Sequence, residues 1–138
     1  MIYTIGSSGL TLPDLQRVID AQHAVLVDIR LHAASCPPAF APRNLHAHFG
    51  ACYVHCPALG NVNDNGGPIT LQDYAAGLDQ IRALLRTTPA VVLMCGCGYV
   101  ETCHRKVAGE QLSHALHVPL LHLTRAGAMG ERPSIMAP

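Results

Sequence analysis

The chain has 138 residues, a length that fits one domain around one core. Hydrophobic residues make up 49% and charged residues 13%, which excludes a disordered chain. Nine Lys or Arg balance nine Asp or Glu, which removes the broad basic field of a protein that grips long nucleic acid by its phosphates. Net charge therefore gives no support to a nucleic-acid partner, although a local basic pocket is compatible with it. No basic segment followed by an apolar one precedes the first element, and no apolar run reaches about 18 residues. The expectation is a cytoplasmic protein without membrane association, its six cysteines kept as thiols.

Short apolar runs alternate with segments of helical period. This is the pattern of a single-domain, three-layer α/β sandwich with a mostly parallel sheet flanked by helices. Residues 2–5 predict the first strand, which ends at Gly6-Ser7-Ser8-Gly9. Thr11-Leu12-Pro13-Asp14 then opens a helix with a hydroxyl cap, an early proline and an acidic N3 residue. Leu12, Leu15, Val18 and Ile19 give that helix an apolar face. Residues 24–29, rich in β-branched side chains, predict a second strand with Asp28 near its end and Arg30 just beyond.

An irregular loop with prolines follows, then a short helix over 44–49 and an edge or third strand over 51–54. The glycines and asparagines of 60–68 predict an exposed loop. Thr70-Leu71-Gln72-Asp73 resembles a capping box, and Leu71, Tyr74, Leu78, Ile81 and Leu85 keep helical spacing toward Arg86. Residues 90–94 predict a central strand buried on both faces, ending in the turn Cys95-Gly96-Cys97-Gly98. A helix from about 103 to 116, capped by Thr102, and a last strand over 119–123 complete the domain. Its expected extent is 1–124, with a loosely held C-terminal tail over 125–138.

Open parallel sheets bind ligands beyond the carboxyl ends of their strands. Three segments leaving strands carry unusual chemistry: Ser7 and Ser8, then Asp28 and Arg30, then Cys95 with Cys103, His104 and Arg105. If the strands are parallel neighbours, these groups converge. Cys103 at a helix start, followed by His104, Arg105 and Lys106, sits where a thiolate is favoured, so a nucleophilic or redox role is reasonable for it. The competing reading is that Cys95 and Cys103 pack as small apolar side chains. Arg30 and Arg105 can clamp one small anionic ligand, with Asp28 orienting Arg30 or acting as a base. The alternative is an internal Asp28–Arg30 bridge that binds nothing. His104 can exchange a proton near neutral pH.

Cys95, Cys97, Cys103 and His104 are close in sequence, but their spacing is poor for structural zinc and would need His55 or Cys56 as well. No metal and no cofactor are assigned. The same cysteines do not form the Cys-x-x-Cys pattern of thiol oxidoreductases. Gly6-Ser7-Ser8-Gly9 lacks the features of a dinucleotide or Walker loop, which leaves a tight turn or a backbone anion cradle. With no tryptophan and two phenylalanines a stacking platform is unsupported, although Tyr53 or Tyr99 can stack on one base.

Tyr3-Thr4-Ile5-Gly6-Ser7-Ser8-Gly9, Leu26-Val27-Asp28-Ile29-Arg30, Pro37 with Phe40, and Tyr53 before Leu59-Gly60-Asn61 appear in order. They are followed by Tyr74 and by Leu93-Met94-Cys95, with Cys103-His104-Arg105 eight residues later. This series resembles the family called domain of unknown function 488, small bacterial and archaeal proteins. The resemblance implies a shared fold and site rather than a reaction. Where relatives usually carry His or Tyr this chain has Ser7, and where they carry Glu it has Cys97. The resulting expectation is an enzyme acting on a small anionic substrate, such as a nucleotide or nucleic-acid end. Cys95, Cys103, Asp28 and His104 are its catalytic candidates. Arg30, Arg105, Ser7, Ser8, Tyr53 and Asn61 are its binding candidates. The alternative is a non-catalytic ligand- or metal-binding sensor module, and the sequence leaves the oligomeric state open.

Overall fold

A computed structural model describes residues 1–33 and 38–124, together with the backbone of 134–136. Five parallel strands form the sheet: β1 (Ile2–Gly6), β2 (Ala24–Asp28), β3 (Tyr53–His55), β4 (Ala90–Cys95) and β5 (Leu120–His122). Their order across the sheet is 3-2-4-1-5, and β6 (Ser134–Met136) pairs antiparallel with β5 at the far edge. The expected three-layer α/β sandwich is what forms. Helices α1 (Leu12–Gln22) and α2 (Pro42–Phe49) cover one face, while α3 (Tyr74–Thr87) and α4 (His104–Leu116) cover the other.

The period of two along β4 builds both halves of the core. Val92 and Met94 face Leu15, Ile19, Leu45 and Phe49 on one side. Val91, Leu93 and Cys95 face Ile81, Ala108 and Leu112 on the other. Every β4 residue is buried, and burying a Val or Leu side chain fully contributes about 1.5–3 kcal/mol, so this strand anchors the fold.

α1 forms as its sequence predicts. Thr11 Oγ1 accepts from Asp14 N, Asp14 returns the bond to Thr11 N, and Pro13 needs no donor in the first turn. His23 closes the helix in the left-handed region at φ 50°.

Four expected boundaries shift. α3 begins at Tyr74 with Asp73 as its cap, not at Thr70. The amides of Gln72 and Asp73 are claimed by Gly60 O and Ala58 O, and Leu71 bridges to Asn61, so this stretch serves the preceding loop. The α4 cap is Cys103, because Thr102 lies in a 3-10 turn over Val100–Thr102. α2 starts earlier than expected, at Pro42. Residues 51–52 sit in a 3-10 turn, which leaves the third strand at 53–55, on the sheet edge. Pro37 and, apart from β6, the tail from 125 lie outside the described residues. No helix of the described residues is long and apolar enough to cross a membrane.

Candidate thiol site

The register brings the strand ends level, with Gly6 beside Cys95 and Asp28 beside Met94. Ser7 N donates to Cys95 O at 2.8 Å and Ile29 N to Met94 O at 2.9 Å, so the segments leaving β1 and β2 flank the end of β4. Gly6 is required here. A Cβ on it would sit 1.7 Å from the Cys97 carbonyl oxygen, so only glycine lets the turn after β4 lie across the end of β1. That turn and the 3-10 segment return the chain to Cys103, whose Sγ stands 2.7 Å from Cys95 Sγ. All five cysteines among the described residues are free thiols.

The thiols are not equivalent. Either sulfur can donate across this contact; with Cys95 as the donor, it holds the Cys103 pKa below its ordinary value while burial opposes it. The Arg105 amide, donated to Cys103 Sγ at 3.5 Å at the start of α4, and the Arg105 charge act in the same direction as the Cys95 bond. The same S–H donation pushes Cys95 up, against the lowering effect of Arg105. Arg105 Nη1 donates to Cys95 Sγ at 3.1 Å and to Cys97 O at 2.9 Å. Cys97, exposed, is pushed up mainly by its contact with Cys95. The two shifts run in opposite directions, down for Cys103 and up for Cys95, so Cys103 is the more readily ionised of the pair.

His104 adds a proton acceptor. Its Nε2 lies 2.9 Å from Ile29 O, a group that only accepts, so in the neutral ring Nε2 carries the proton. Nδ1 is then the lone-pair nitrogen, and it faces Cys103 Sγ at 3.8 Å. Cys103 Sγ, the His104 ring and the Ile29 carbonyl therefore stand in sequence, an arrangement that can activate a thiol. The Ile29 carbonyl is a contributor that sequence reading missed, because a backbone acceptor has no residue-type signal.

Asp28 and Arg30 form the internal bridge. Arg30 Nε and Nη2 donate to the two carboxylate oxygens of Asp28 at 2.8 and 2.6 Å, and Nη2 also reaches Phe40 O at 2.7 Å. Tyr53 OH donates to Asp28 Oδ2 at 2.8 Å, and its pKa is raised chiefly by burial. Tyr53 is buried and holds Asp28, so no base can stack on its ring in this arrangement. His55 Nε2 meets Arg30 O at 2.8 Å.

Two clefts flank these groups. The first, of about 380 Å³, is lined by Arg30, Asn61, Cys97, Cys103 and His104 among others. Asn61 Oδ1 accepts from the amides of Asn63 and Thr70, which ties the loop over this cleft. The second, of about 590 Å³, is lined by Ser8, Tyr99, Arg105 and His122 among others. Arg30 and Arg105 thus line different clefts instead of closing on one anion. Ser7 is buried and borders another hollow, of about 400 Å³, beside Arg30.

His122 is another group missed from sequence. Its Nδ1 pairs with Thr4 Oγ1 at 2.5 Å, and burial holds its pKa below the usual value. Its Nε2 and Arg105 Nε are buried without a hydrogen-bond partner among the described residues. Such orphaned groups are rare in folded proteins.

The sulfur atoms of Cys95, Cys97 and Cys103 lie within 4.8 Å of one another and could offer three soft ligands. Two thiolates on one tetrahedral zinc, with bonds of about 2.3 Å, stand about 3.8 Å apart. The 2.7 Å between Cys95 and Cys103 is far shorter, so a metal would have to spread the pair. The partners anticipated from the third-strand region are engaged elsewhere, Cys56 with Gln80 Oε1 and His55 with Arg30 O.

Comparison with curated proteins returned no match, and comparison with solved structures returned none either. Residues 15–112, more than two thirds of the chain and including every group from Asp28 to Arg105, match the family described as Domain of unknown function DUF488. The chain belongs to this family.

Proposed function

We infer that the protein is an enzyme in which the Cys103 thiolate attacks a small anionic substrate held in the 380 Å³ cleft. The observation that carries this reading is the set of contacts on one sulfur: the Cys95 S–H, the Arg105 amide and His104 Nδ1 all meet Cys103. The first two stabilise the thiolate, and the third can take its proton or return one to a leaving group. Arg30 lines the same cleft, with its orientation set and its charge balanced by Asp28. Nucleotides and nucleic-acid ends belong to the substrate class that such a cleft would admit.

Alkylation by iodoacetamide, followed residue by residue across pH, tests the reading. The Cys103 rate is expected to rise with an inflection below the ordinary thiol value, and to slow when phosphate or sulfate occupies the cleft. An inflection at the ordinary value, as for a solvated thiol, would sink the proposal.

The binding-module alternative draws on a separate observation, the nitrogens of Arg105 and His122 that have no hydrogen-bond partner among the described residues, at the 590 Å³ cleft. A ligand acceptor placed there would satisfy Arg105 Nε without involving Cys103. Protection of Arg105 and His122 by anions, with no effect on Cys103 alkylation, would favour that module over the enzyme.

A further inference from the structure

We propose that Cys95 is the resolving thiol of this site, so that a hydroperoxide converts Cys95 and Cys103 into a disulfide that a dithiol reductant reopens. The proposal rests on the nucleophile reading of Cys103 and extends it to a second reactive sulfur. Its basis is geometric. The two sulfurs are separated by eight positions and not by the two-residue spacer of familiar dithiol motifs. The turn across Gly6 and the 3-10 segment nevertheless bring them to 2.7 Å, with both residues buried. At that distance a small movement along the line between the sulfurs completes a bond, which requires about 2.05 Å.

Cys103 lines the cleft, whereas Cys95, at 0% exposure, does not. Both are buried, but of the pair only Cys103, 1% exposed, borders the cleft, so it is the one an oxidant there can approach, with the exposed Cys97 beside it. The Cys103 thiolate attacks one peroxide oxygen, the O–O bond breaks, and the departing alkoxide or hydroxide takes up a proton, leaving Cys103 as a sulfenic acid. Cys95 sulfur then attacks Cys103 sulfur. The S–O bond breaks and the leaving hydroxide takes the Cys95 proton, departing as water. One hydroperoxide and two thiols have become one alcohol, or one water, together with another water and one disulfide; the peroxide has gained the two electrons that the thiols lost.

The reverse half has an equally defined geometry. A reductant thiolate reaches Cys103 from the cleft, and attack there releases Cys95 as the leaving thiolate. Arg105 Nη1, 3.1 Å from Cys95 Sγ, stands ready to stabilise that charge. The second reductant thiol then displaces Cys103, so the reductant leaves as its own disulfide. Cys97, exposed and near both sulfurs, is the competing partner that the experiment must separate.

The test uses the reduced full chain, treated with equimolar hydrogen peroxide and analysed as intact mass and as peptides. The expected product has lost two hydrogens, carries a Cys95–Cys103 cross-link and regains its mass with dithiothreitol. Cys97→Ser, at an exposed position, should form the same cross-link. Cys95→Ser should stop at a Cys103 sulfenic acid that dimedone traps. The wild-type and Cys97→Ser results decide the matter even if Cys95→Ser fails to fold. Accumulation of Cys103 sulfinic acid with Cys95 still reduced would overturn the proposal, as would a cross-link joining Cys97 to Cys103. If Cys103 keeps its low alkylation inflection while forming no bond to Cys95, the resolving role alone is lost; if the inflection is also missing, the nucleophile reading falls with it.

Discussion

The starts of α1 and α4 solve the same problem with different chemistry. Each helix must satisfy amides that have no carbonyl partner within the helix. At α1 the solution is local and closed: Thr11 and Asp14 exchange hydrogen bonds, and Asp14 also pairs with Arg17. At α4 the cap is a sulfur, a weak acceptor at 3.5 Å, and its other contacts come from β4 and from the His104 ring braced against the end of β2. The first arrangement spends its hydrogen-bonding capacity on stability. The second leaves a polarised thiol at the floor of a cleft, which is what a reactive site needs.

The comparison can be broken most severely at the support beneath the second site. Asp28→Ala leaves buried Arg30 without its carboxylate and Tyr53 OH without its acceptor, and loss of one partner from a buried pair costs about 3–5 kcal/mol. Urea denaturation should show a loss of that size. A loss below 1 kcal/mol would mean that Arg30 readily finds another partner and that the bridge is not what orients it.

Paired substitutions at the two caps sharpen the contrast. Cys103→Ser replaces a sulfur cap with a hydroxyl, a preferred cap, so stability should stay within about 1 kcal/mol of the parent while alkylation at this position and the Cys95 cross-link disappear. Thr11→Ala should do the reverse, costing about 1 kcal/mol in a thermal melt and leaving the Cys103 alkylation profile unchanged. A shift of the Cys103 inflection in the Thr11 variant would show that the two helix starts are coupled.

The smallest effect is one of pH. The Asp14 pKa is lowered, first by the Thr11 amide, with smaller help from the Thr11 hydroxyl and from Arg17. A depressed carboxylate contributes stability that is present above its unfolded value and is lost as pH falls through its folded value. Replacing Asp14 by Asn should therefore flatten the stability profile below the ordinary carboxylate range, an effect that thermal melts in acid can resolve. An unchanged profile would remove Asp14 from the α1 cap.

The difference between the caps also explains which parts were legible in the chain. Everything needed to recognise α1 lies within four residues, Thr11 to Asp14. The central strand is likewise written as an apolar run between Pro89 and the glycine turn. Local spacing determines such elements because their partners are near in sequence or are interchangeable apolar neighbours. Asp28, Arg30, Cys95, Cys103 and His104 could be singled out for residue type and for their places after strands. What joins them could not. The Thr70 capping box failed because loop carbonyls at Ala58 and Gly60 took the amides that a helix start would have used.

Only tertiary structure decided that Arg30 turns inward to Asp28 and lines a different cleft from Arg105, that Tyr53 is a buried brace, and that His104 is oriented by Ile29 O. The same holds for Cys95 and Cys103, whose separation of eight positions suggests no dithiol. Their contact depends on Gly6, nearly ninety positions earlier in the chain, having no side chain where the Cys97 carbonyl must lie. The physical reason is common to all of these. Residue type sets what a group can donate, accept or release, while its partner is chosen by strand register, by backbone groups that carry no sequence signal, and by steric room provided from distant segments.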